Sequence, residues 1–202
     1  FFAFEYNNPI TMKEFSLFEK VQASLFQSVT TRTAGFATIP QQDLTNASAI
    51  VSLLLMFIGG SPVGTAGGVK TVTIAVLILA AFGTIRNKED VVLFKRTIPK
   101  QAVNKAVAVV CMSFMILFLS TLFLSVVTDA SALDIAYETI SATATVGLSR
   151  NLTALLDMWG KVIVIITMYL GRVGPISLVI ALNTVKENKN IIKEPTEKIS
   201  IG

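Results

Sequence analysis

The sequence contains no histidine, a single cysteine and few charged side chains. Without histidine, the chain lacks the commonest general base and the commonest ligand for transition metals. The lone cysteine, Cys111, excludes a disulfide bond within the chain. Charged residues make up 15% of the 202 residues, whereas a soluble domain carries about 25%. These absences argue against an enzyme, against a resident cofactor and against a soluble domain.

Hydrophobic residues instead make up 52% of the chain. Residues 106–127 carry no charge, and a helix of this length can cross a bilayer core of about 30 Å. Residues 86–105 contain six Lys/Arg and two acidic residues, and residues 183–202 contain four Lys and three acidic residues. Residues 128–157, in contrast, contain one Arg and four acidic residues. Lys and Arg favour the cytoplasmic side of a membrane. The sequence therefore predicts an all-α, multi-pass protein of the cell membrane with both basic segments in the cytoplasm, and no nucleic-acid partner.

One short motif occurs twice in the chain. Residues 31–36 read T-R-T-A-G-F and residues 143–148 read T-A-T-V-G-L. The offset of 112 residues between Gly35 and Gly147 also aligns the hydrophobic segments that follow the two motifs. A single motif of this kind is a weak signal, but two copies in register with their flanking segments indicate an internal repeat.

Each motif follows an amphipathic segment. Residues 15–30 and 130–143 place apolar side chains at helical spacing, but they are too short and too polar to cross a bilayer. A short helix that enters the membrane, followed by an extended Gly-containing stretch that returns, is a re-entrant pore loop. Such backbone is tolerated at membrane depth where protein buries it or water lines it. Two crossings separate the two predicted loops, so the repeats run parallel.

Residues 44–85 would form a helix about 63 Å long, which is twice the thickness of a bilayer core. Their middle, residues 59–68, reads G-G-S-P-V-G-T-A-G-G and is a poor helix former. Two short spans joined by a loop, or one crossing by a broken helix, would both explain this pattern. The charge distribution requires a single crossing, and we predict one helix broken at residues 59–69. Residues 158–182 are predicted to form a second lining helix, broken at residues 171–175.

The repeated motif suits a filter for cations. Backbone carbonyl oxygens can replace the hydration shell of an ion, and glycine supplies the left-handed backbone that aligns them. Neither motif contains a carboxylate, which favours a weakly hydrated monovalent cation over calcium or magnesium. One glycine alone would indicate an ordinary turn, but the duplication favours a filter.

Arg172 is the most conspicuous charge in the sequence. It lies within residues 162–184, which are otherwise uncharged. An arginine at the centre of a membrane helix costs about 2.5–3.5 kcal/mol on insertion scales, so its presence indicates a function. The repeat offset places it at the depth of Gly60, and we predict that it meets the broken segment below the filter.

Two further basic residues lie near the predicted pathway. Arg32 is predicted to support the filter, with Glu19 or Glu138 as its partner, because alternation in an extended stretch turns it away from the side that Thr31 and Thr33 face. For Lys70 two roles stay open, since it can snorkel to the membrane surface or cap the carbonyl groups of the broken segment.

The stretches TTRTAGF, GGSPVGTAGGVKT, ATVGLS and MYLGRVGP resemble the Trk/Ktr/HKT superfamily of cation transporters, in particular the ion-translocating membrane subunit of Ktr-type systems. The resemblance implies four potassium-channel-like helix–pore-loop–helix units around one pathway, of which this chain holds about two. Residues 1–85 are then the third unit with a truncated first helix, and residues 106–182 are the fourth. Residues 86–105 form the basic loop between them, and residues 183–202 form the tail. Ala144 departs from the pattern, because relatives often have glycine there.

The resemblance also implies site residues. The ion filter comprises Thr33, Ala34, Gly35, Phe36, Thr145, Val146, Gly147 and Leu148. Within it, the backbone of Thr33, Gly35, Thr145 and Gly147 coordinates K⁺. The gate comprises Gly59, Gly60, Ser61, Gly64, Thr65, Ala66, Gly67, Gly68 and the facing Arg172. No catalytic residue and no cofactor are implied.

The predicted function is potassium uptake through this filter, with dependence on Na⁺ left open. A sodium-translocating protein or Na⁺/K⁺ symporter of the same family, and a non-conducting assembly subunit, are the alternatives. The resemblance implies a cytosolic nucleotide-binding regulatory ring and a homodimer as partners. Because two pore loops cannot close a fourfold pathway and Phe1 is expected to lie mid-helix, an N-terminal half of the same protein is a third expected partner.

Overall fold

The structure, a computed structural model, describes residues 1–62, 66–86, 92–93 and 96–174. The described residues form helices and one pair of very short strands, so the predicted all-α class is confirmed. In chain order the elements are α1 Phe2–Glu5, α2 Leu17–Thr30, the 3-10 helix Gln41–Asp43, α3 Asn46–Phe57, α4 Thr71–Ile85, β1 Val92–Leu93, β2 Arg96–Thr97, α5 Lys100–Val127, α6 Ala132–Thr143, α7 Leu152–Leu155 and α8 Met158–Val173.

The two predicted pore helices, α2 and α6, begin at serine caps. The Ser16 hydroxyl accepts a hydrogen bond from the Glu19 amide, and the Glu19 carboxylate accepts one from the Ser16 amide at 2.8 Å. The Ser131 hydroxyl likewise accepts from the Asp134 amide at 3.2 Å. These caps satisfy amides that have no partner inside the helix, and they place both helix starts later than residues 15 and 130.

Helix α5 is longer than the predicted span. It begins at Lys100, directly after Pro99, and continues to Val127, so the end of the predicted basic loop is helical. Among the described residues, α5 is the one helix that is long and apolar enough to cross a membrane, whereas α3 and α4 are apolar but shorter. The rest of the predicted basic loop contains the strands β1 and β2, which pair antiparallel.

The break between α3 and α4 is a loop that returns to its starting point. Ile58 pairs with Val69 as a parallel bridge, and the Val69 amide donates to the Phe57 carbonyl at 3.2 Å. The Thr71 amide donates to the Gly60 carbonyl at 3.3 Å. Because the bridge is parallel, the chain enters and leaves the loop in the same direction. A single crossing by a broken helix requires this arrangement, and the crossing itself stays a prediction.

Helix α6 lies at the centre of the packed helices, in contact with α3, α5 and α8. On one side Leu124 of α5 and Val164 of α8 belong to its buried apolar cluster. On the other side Met56 of α3 packs with Tyr137 and with Val146 of the second motif. The core thus joins the helix of one repeat to the pore loop of the other.

Candidate ion pathway

Both repeated motifs have left-handed backbone at the same two positions. The φ angles are 71° at Thr33 and 77° at Gly35, and 56° at Thr145 and 90° at Gly147. The equivalent residues are 112 positions apart, so the repeat seen in the sequence is also a repeat of backbone conformation. The predicted extended stretch is therefore wrong, because each loop turns through alternate left-handed residues instead.

The two pore loops touch each other. A Cβ atom added at Gly35 would clash with the Val146 carbonyl oxygen, and one added at Gly147 would lie 3.9 Å from the Gly35 Cα atom. The sequence-predicted filter residues of the two repeats are thus brought together. Glycine is required at position 35 both by this contact and by the positive φ, whereas at position 147 only the φ angle requires it.

Each pore loop begins at the C-terminal end of a helix and hydrogen-bonds back to it. The amides of Ala34 and Gly35 donate to the Thr30 carbonyl at 3.1 and 3.2 Å. In the second repeat the Val146 amide donates to the Ser141 carbonyl at 2.9 Å, and the Gly147 amide donates to the Ser141 hydroxyl at 3.2 Å. The C-terminal end of a helix carries partial negative charge, which favours cations beside both loops.

The predicted gating loop lies directly against the second pore loop. The Gly67 amide donates to the Thr145 hydroxyl at 3.0 Å. A Cβ atom at Gly67 would clash with that hydroxyl and would lie 2.6 Å from the Ala144 carbonyl oxygen. At Gly68, where φ is 69°, an added Cβ would lie 3.2 Å from the Ala144 methyl group. Ala144, the departure from the family pattern, is buried in this contact.

The other residues of the predicted gate fall in three places. Gly59 packs against Gly67 across the base of the loop, so that a Cβ atom at Gly59 would clash with the Gly67 carbonyl. The Gly60 carbonyl accepts the amide of Thr71, as described for the break, and Ser61 is exposed at the start of the excursion. Gly64 and Thr65 lie outside the described residues.

A cavity of about 340 Å³ separates the gating loop from helix α8. Ala66, Gly67 and Arg172 all line this cavity. That Arg172 faces a gate stays a prediction. Lys70 also lines the cavity, and its ammonium group donates to the Ala66 carbonyl. Of the two roles left open for Lys70, the structure therefore shows the second, in which it caps a carbonyl group of the loop. Two positive charges thus border one cavity, which Thr143 at the start of the second motif also lines.

The predicted partners of Arg32 are wrong. Its guanidinium donates to the Gly59 carbonyl at 3.3 Å. Glu19 caps its own helix, and Glu138 accepts hydrogen bonds from the hydroxyls of Ser149 and Thr153. Because the predicted pore loop turns instead of running extended, Arg32 reaches the break after α3. Its support of the filter stays a prediction.

A link between the two repeats was not predicted from the sequence. Arg150 forms a salt bridge with Asp134 at 2.7 Å, and its other nitrogen atoms donate to the carbonyls of Gln41 and Gln42 at 3.0 and 3.2 Å. Arg150 follows the second pore loop, and Gln41 follows the first. The signal available in the sequence was a single arginine within the acidic segment 128–157.

A family model described as TrkH, cation transport protein, matches residues 1–193. The chain belongs to this family. It is 37% identical over its whole length to Ktr system potassium uptake protein B of Bacillus subtilis, of which it covers 45%. It is 35% identical to potassium/sodium uptake protein NtpJ of Enterococcus hirae, with 96% of this chain and 44% of that protein aligned. The chain therefore spans less than half the length of these curated relatives.

The fold is similar to that in the crystal structure of the potassium transporter TrkH from Vibrio parahaemolyticus. The TM-score is 0.75 at 19% identity, over 91% of this chain and 41% of that one. Together with the family match, this likeness confirms the predicted family and fold class. It places the chain in a family of membrane cation transporters rather than of enzymes.

Proposed function

We propose that this chain supplies two pore-loop units of a potassium uptake protein. The observation that carries the proposal is the pair of touching loops with left-handed backbone at Thr33 and Gly35 and at Thr145 and Gly147. Left-handed residues at alternate positions allow successive carbonyl groups to face one side. Rings of such carbonyls coordinate a dehydrated cation in channel filters.

The chemistry of the loops supports a monovalent ion. Residues 31–36 and 143–148 contain no carboxylate, and divalent cations prefer carboxylates or retained water. Three of the relatives are named as potassium uptake proteins and one as a potassium/sodium uptake protein. Potassium is therefore the proposed ion. Whether uptake depends on Na⁺ distinguishes this proposal from a Na⁺/K⁺ symporter.

The complete gene, expressed in a potassium-uptake-deficient bacterial strain, tests this proposal. We expect saturable ⁸⁶Rb⁺ uptake that unlabelled K⁺ inhibits, and a parallel measurement with and without Na⁺ separates potassium uptake from a coupled symport. Empty vector is the control for background uptake, and a Gly35→Ala variant at equal membrane levels, which is expected to lose the preference for K⁺ over Na⁺, is the control for selectivity. Absence of ⁸⁶Rb⁺ uptake at normal membrane levels would instead favour a non-conducting assembly subunit.

We also propose a cytoplasmic docking region for a nucleotide-binding regulatory ring, with a homodimer in the membrane. The proposal rests on the ten Lys/Arg of residues 86–105 and 183–202. Residues 87–91, 94–95 and 183–202 lie outside the described residues. The names of the relatives describe Ktr systems, which suits a protein that works with another component.

Deletion of the tail from Lys186 is expected to weaken ring binding or dimerisation while membrane insertion stays intact. The reason is that the tail carries four basic side chains but no long apolar segment that insertion would need. Pull-down of the co-expressed regulator and the oligomer mass in detergent measure the two effects. Undiminished pull-down and an unchanged oligomer mass, at wild-type protein levels, would contradict the prediction.

A further inference from the structure

A buried polar cluster joins the two pore-loop units at the side chain of Gln41. Its amide oxygen accepts hydrogen bonds from the Gln27 amide nitrogen at 2.6 Å and from the Tyr137 hydroxyl at 2.9 Å. Its amide nitrogen donates to the Ile39 carbonyl at 2.6 Å and to the Gln27 amide oxygen at 3.2 Å. Gln27, Gln41 and Tyr137 are all 2% exposed or less. Both lone pairs and both donors of the Gln41 amide are therefore used.

The main chain of Gln41 is held from the other side. Arg150 donates to the carbonyls of Gln41 and Gln42, and its salt bridge to Asp134 orients the guanidinium toward them. Gln27 belongs to α2 of the first repeat, whereas Tyr137 and Asp134 belong to α6 of the second. Gln41 is thus the residue at which side chain and main chain both bind the opposite repeat.

The position of this cluster connects it to the filter. Gln41 lies six residues after Gly35, and Arg150 lies three residues after Gly147, so the cluster joins the outgoing limbs of both pore loops. The loops contact each other between Gly35 and Val146. A shift of either limb therefore changes the distance between the two sets of carbonyl groups.

An apolar contact would hold the two repeats together equally well. Buried apolar side chains tolerate rearrangement, whereas a polar cluster with every hydrogen bond made favours one arrangement because each broken bond leaves a buried group unpaired. A polar cluster at this place is therefore better suited to fix the distance between the two pore loops than merely to stabilise the fold.

We propose that Gln41 is a positioning residue that sets the spacing of the two pore loops and thereby the preference for K⁺ over Na⁺. The inference rests on the proposed potassium pathway and deepens it. Gln41 itself coordinates no ion, and it acts through the backbone of the loops that precede and face it.

The test compares Gln41→Leu and Tyr137→Phe in the protein expressed from the complete gene. Gln42→Ala is the matched control, because the Gln42 side chain is exposed and its carbonyl contact with Arg150 survives the substitution. Uptake of ⁸⁶Rb⁺ and ²²Na⁺ is measured in the same cells, and the melting temperature of each purified variant is recorded. We expect the Rb⁺/Na⁺ ratio to fall at least about fivefold in Gln41→Leu, because the change removes four hydrogen bonds and a single one of about 1 kcal/mol already corresponds to that factor.

Tyr137→Phe removes one hydroxyl without changing the shape of the side chain, and keeps the test valid if Gln41→Leu folds poorly. We expect the Rb⁺/Na⁺ ratio of Tyr137→Phe to fall as well, by a smaller factor, and that of Gln42→Ala to stay unchanged. The effects of Gln41→Leu and Tyr137→Phe should be non-additive in the double variant.

A lowered melting temperature with an unchanged Rb⁺/Na⁺ ratio in both variants would overturn the inference, since the cluster would then be structural only. A wild-type protein without Rb⁺ uptake would overturn the proposed function as well. Rb⁺ uptake whose ratio responds to Gly147→Ala but not to Gln41→Leu or Tyr137→Phe would overturn this inference alone.

Discussion

Replacement of Gly35 by alanine is expected to abolish discrimination between K⁺ and Na⁺, and to do so more severely than the same change at Gly147. An alanine at position 35 meets two obstacles, a φ of 77° and a clash of its Cβ with the Val146 carbonyl oxygen. At position 147 the φ of 90° is the only obstacle, since the nearest atom would be 3.9 Å away. Left-handed backbone costs a residue with a Cβ roughly 1–2 kcal/mol. The clash adds to this, because a backbone carbonyl cannot move aside as a flexible side chain can.

The measurement is the ratio of K⁺ to Na⁺ uptake at equal membrane levels. We expect no discrimination in Gly35→Ala and partial discrimination in Gly147→Ala. Gly83→Ala is the control, because Gly83 lies inside helix α4 and alanine is a better helix former. A wild-type ratio in both filter variants, or a stronger effect at Gly147 than at Gly35, would show that these loops do not select the ion.

The repeat could be read from the sequence, but the conformation of the loops could not. The 112-residue offset identified Gly35 and Gly147 as equivalent, and glycine indicated left-handed backbone at both. Thr33 and Thr145 share that backbone, although a β-branched residue rarely adopts it. Hydrogen bonds from each loop to the end of its pore helix impose the turn, and local preference alone favoured an extended stretch.

Helix boundaries followed the sequence where a local signal marks them. Ser16 and Ser131 are caps of the preferred type, and both helices begin one residue later. Helix α5 differs, because the change from charged to apolar residues marks the edge of a membrane and not the end of a helix. Lys100 and Lys105 therefore belong to its first turns, within the segment predicted as a loop.

Contacts between the repeats were the least predictable part of the site. Arg150 and Gln41 are more than 100 residues apart, and no spacing along the chain connects them. The predicted partners of Arg32 are also wrong, because opposite charge favours Glu19 and Glu138, whereas the guanidinium binds a backbone carbonyl that the broken helix exposes. For Arg172 the repeat offset predicts a position beside the broken segment, and Arg172 lines the same cavity as Ala66 and Gly67.

Deletion of residues 64–67 is expected to raise uptake and to make it independent of the cytosolic regulator. The proposed gating loop contacts the second pore loop through Gly67 and Thr145, and Lys70 and Arg172 border the cavity beside it. Like charges about 5 Å apart repel by roughly 3 kcal/mol at an effective dielectric constant near 20, so a cation that enters this cavity faces a barrier. The shortened loop can no longer reach Thr145 and fill the path, and a regulator that acts by moving the loop then has nothing left to move.

Two point variants separate the parts of this gate. Gly67→Ala keeps the length of the loop but places a Cβ atom against the Thr145 hydroxyl and the Ala144 carbonyl, so it should undock the loop and resemble the deletion. Arg172→Ala removes one positive charge from the cavity and should change the rate of uptake but not the preference between K⁺ and Na⁺, because the proposed filter comprises other residues. Initial rates of ⁸⁶Rb⁺ uptake with and without the regulator measure both effects. If Arg172→Ala altered ion preference while the deletion left regulation intact, the barrier would belong to the pore loops and the broken helix would not be the gate.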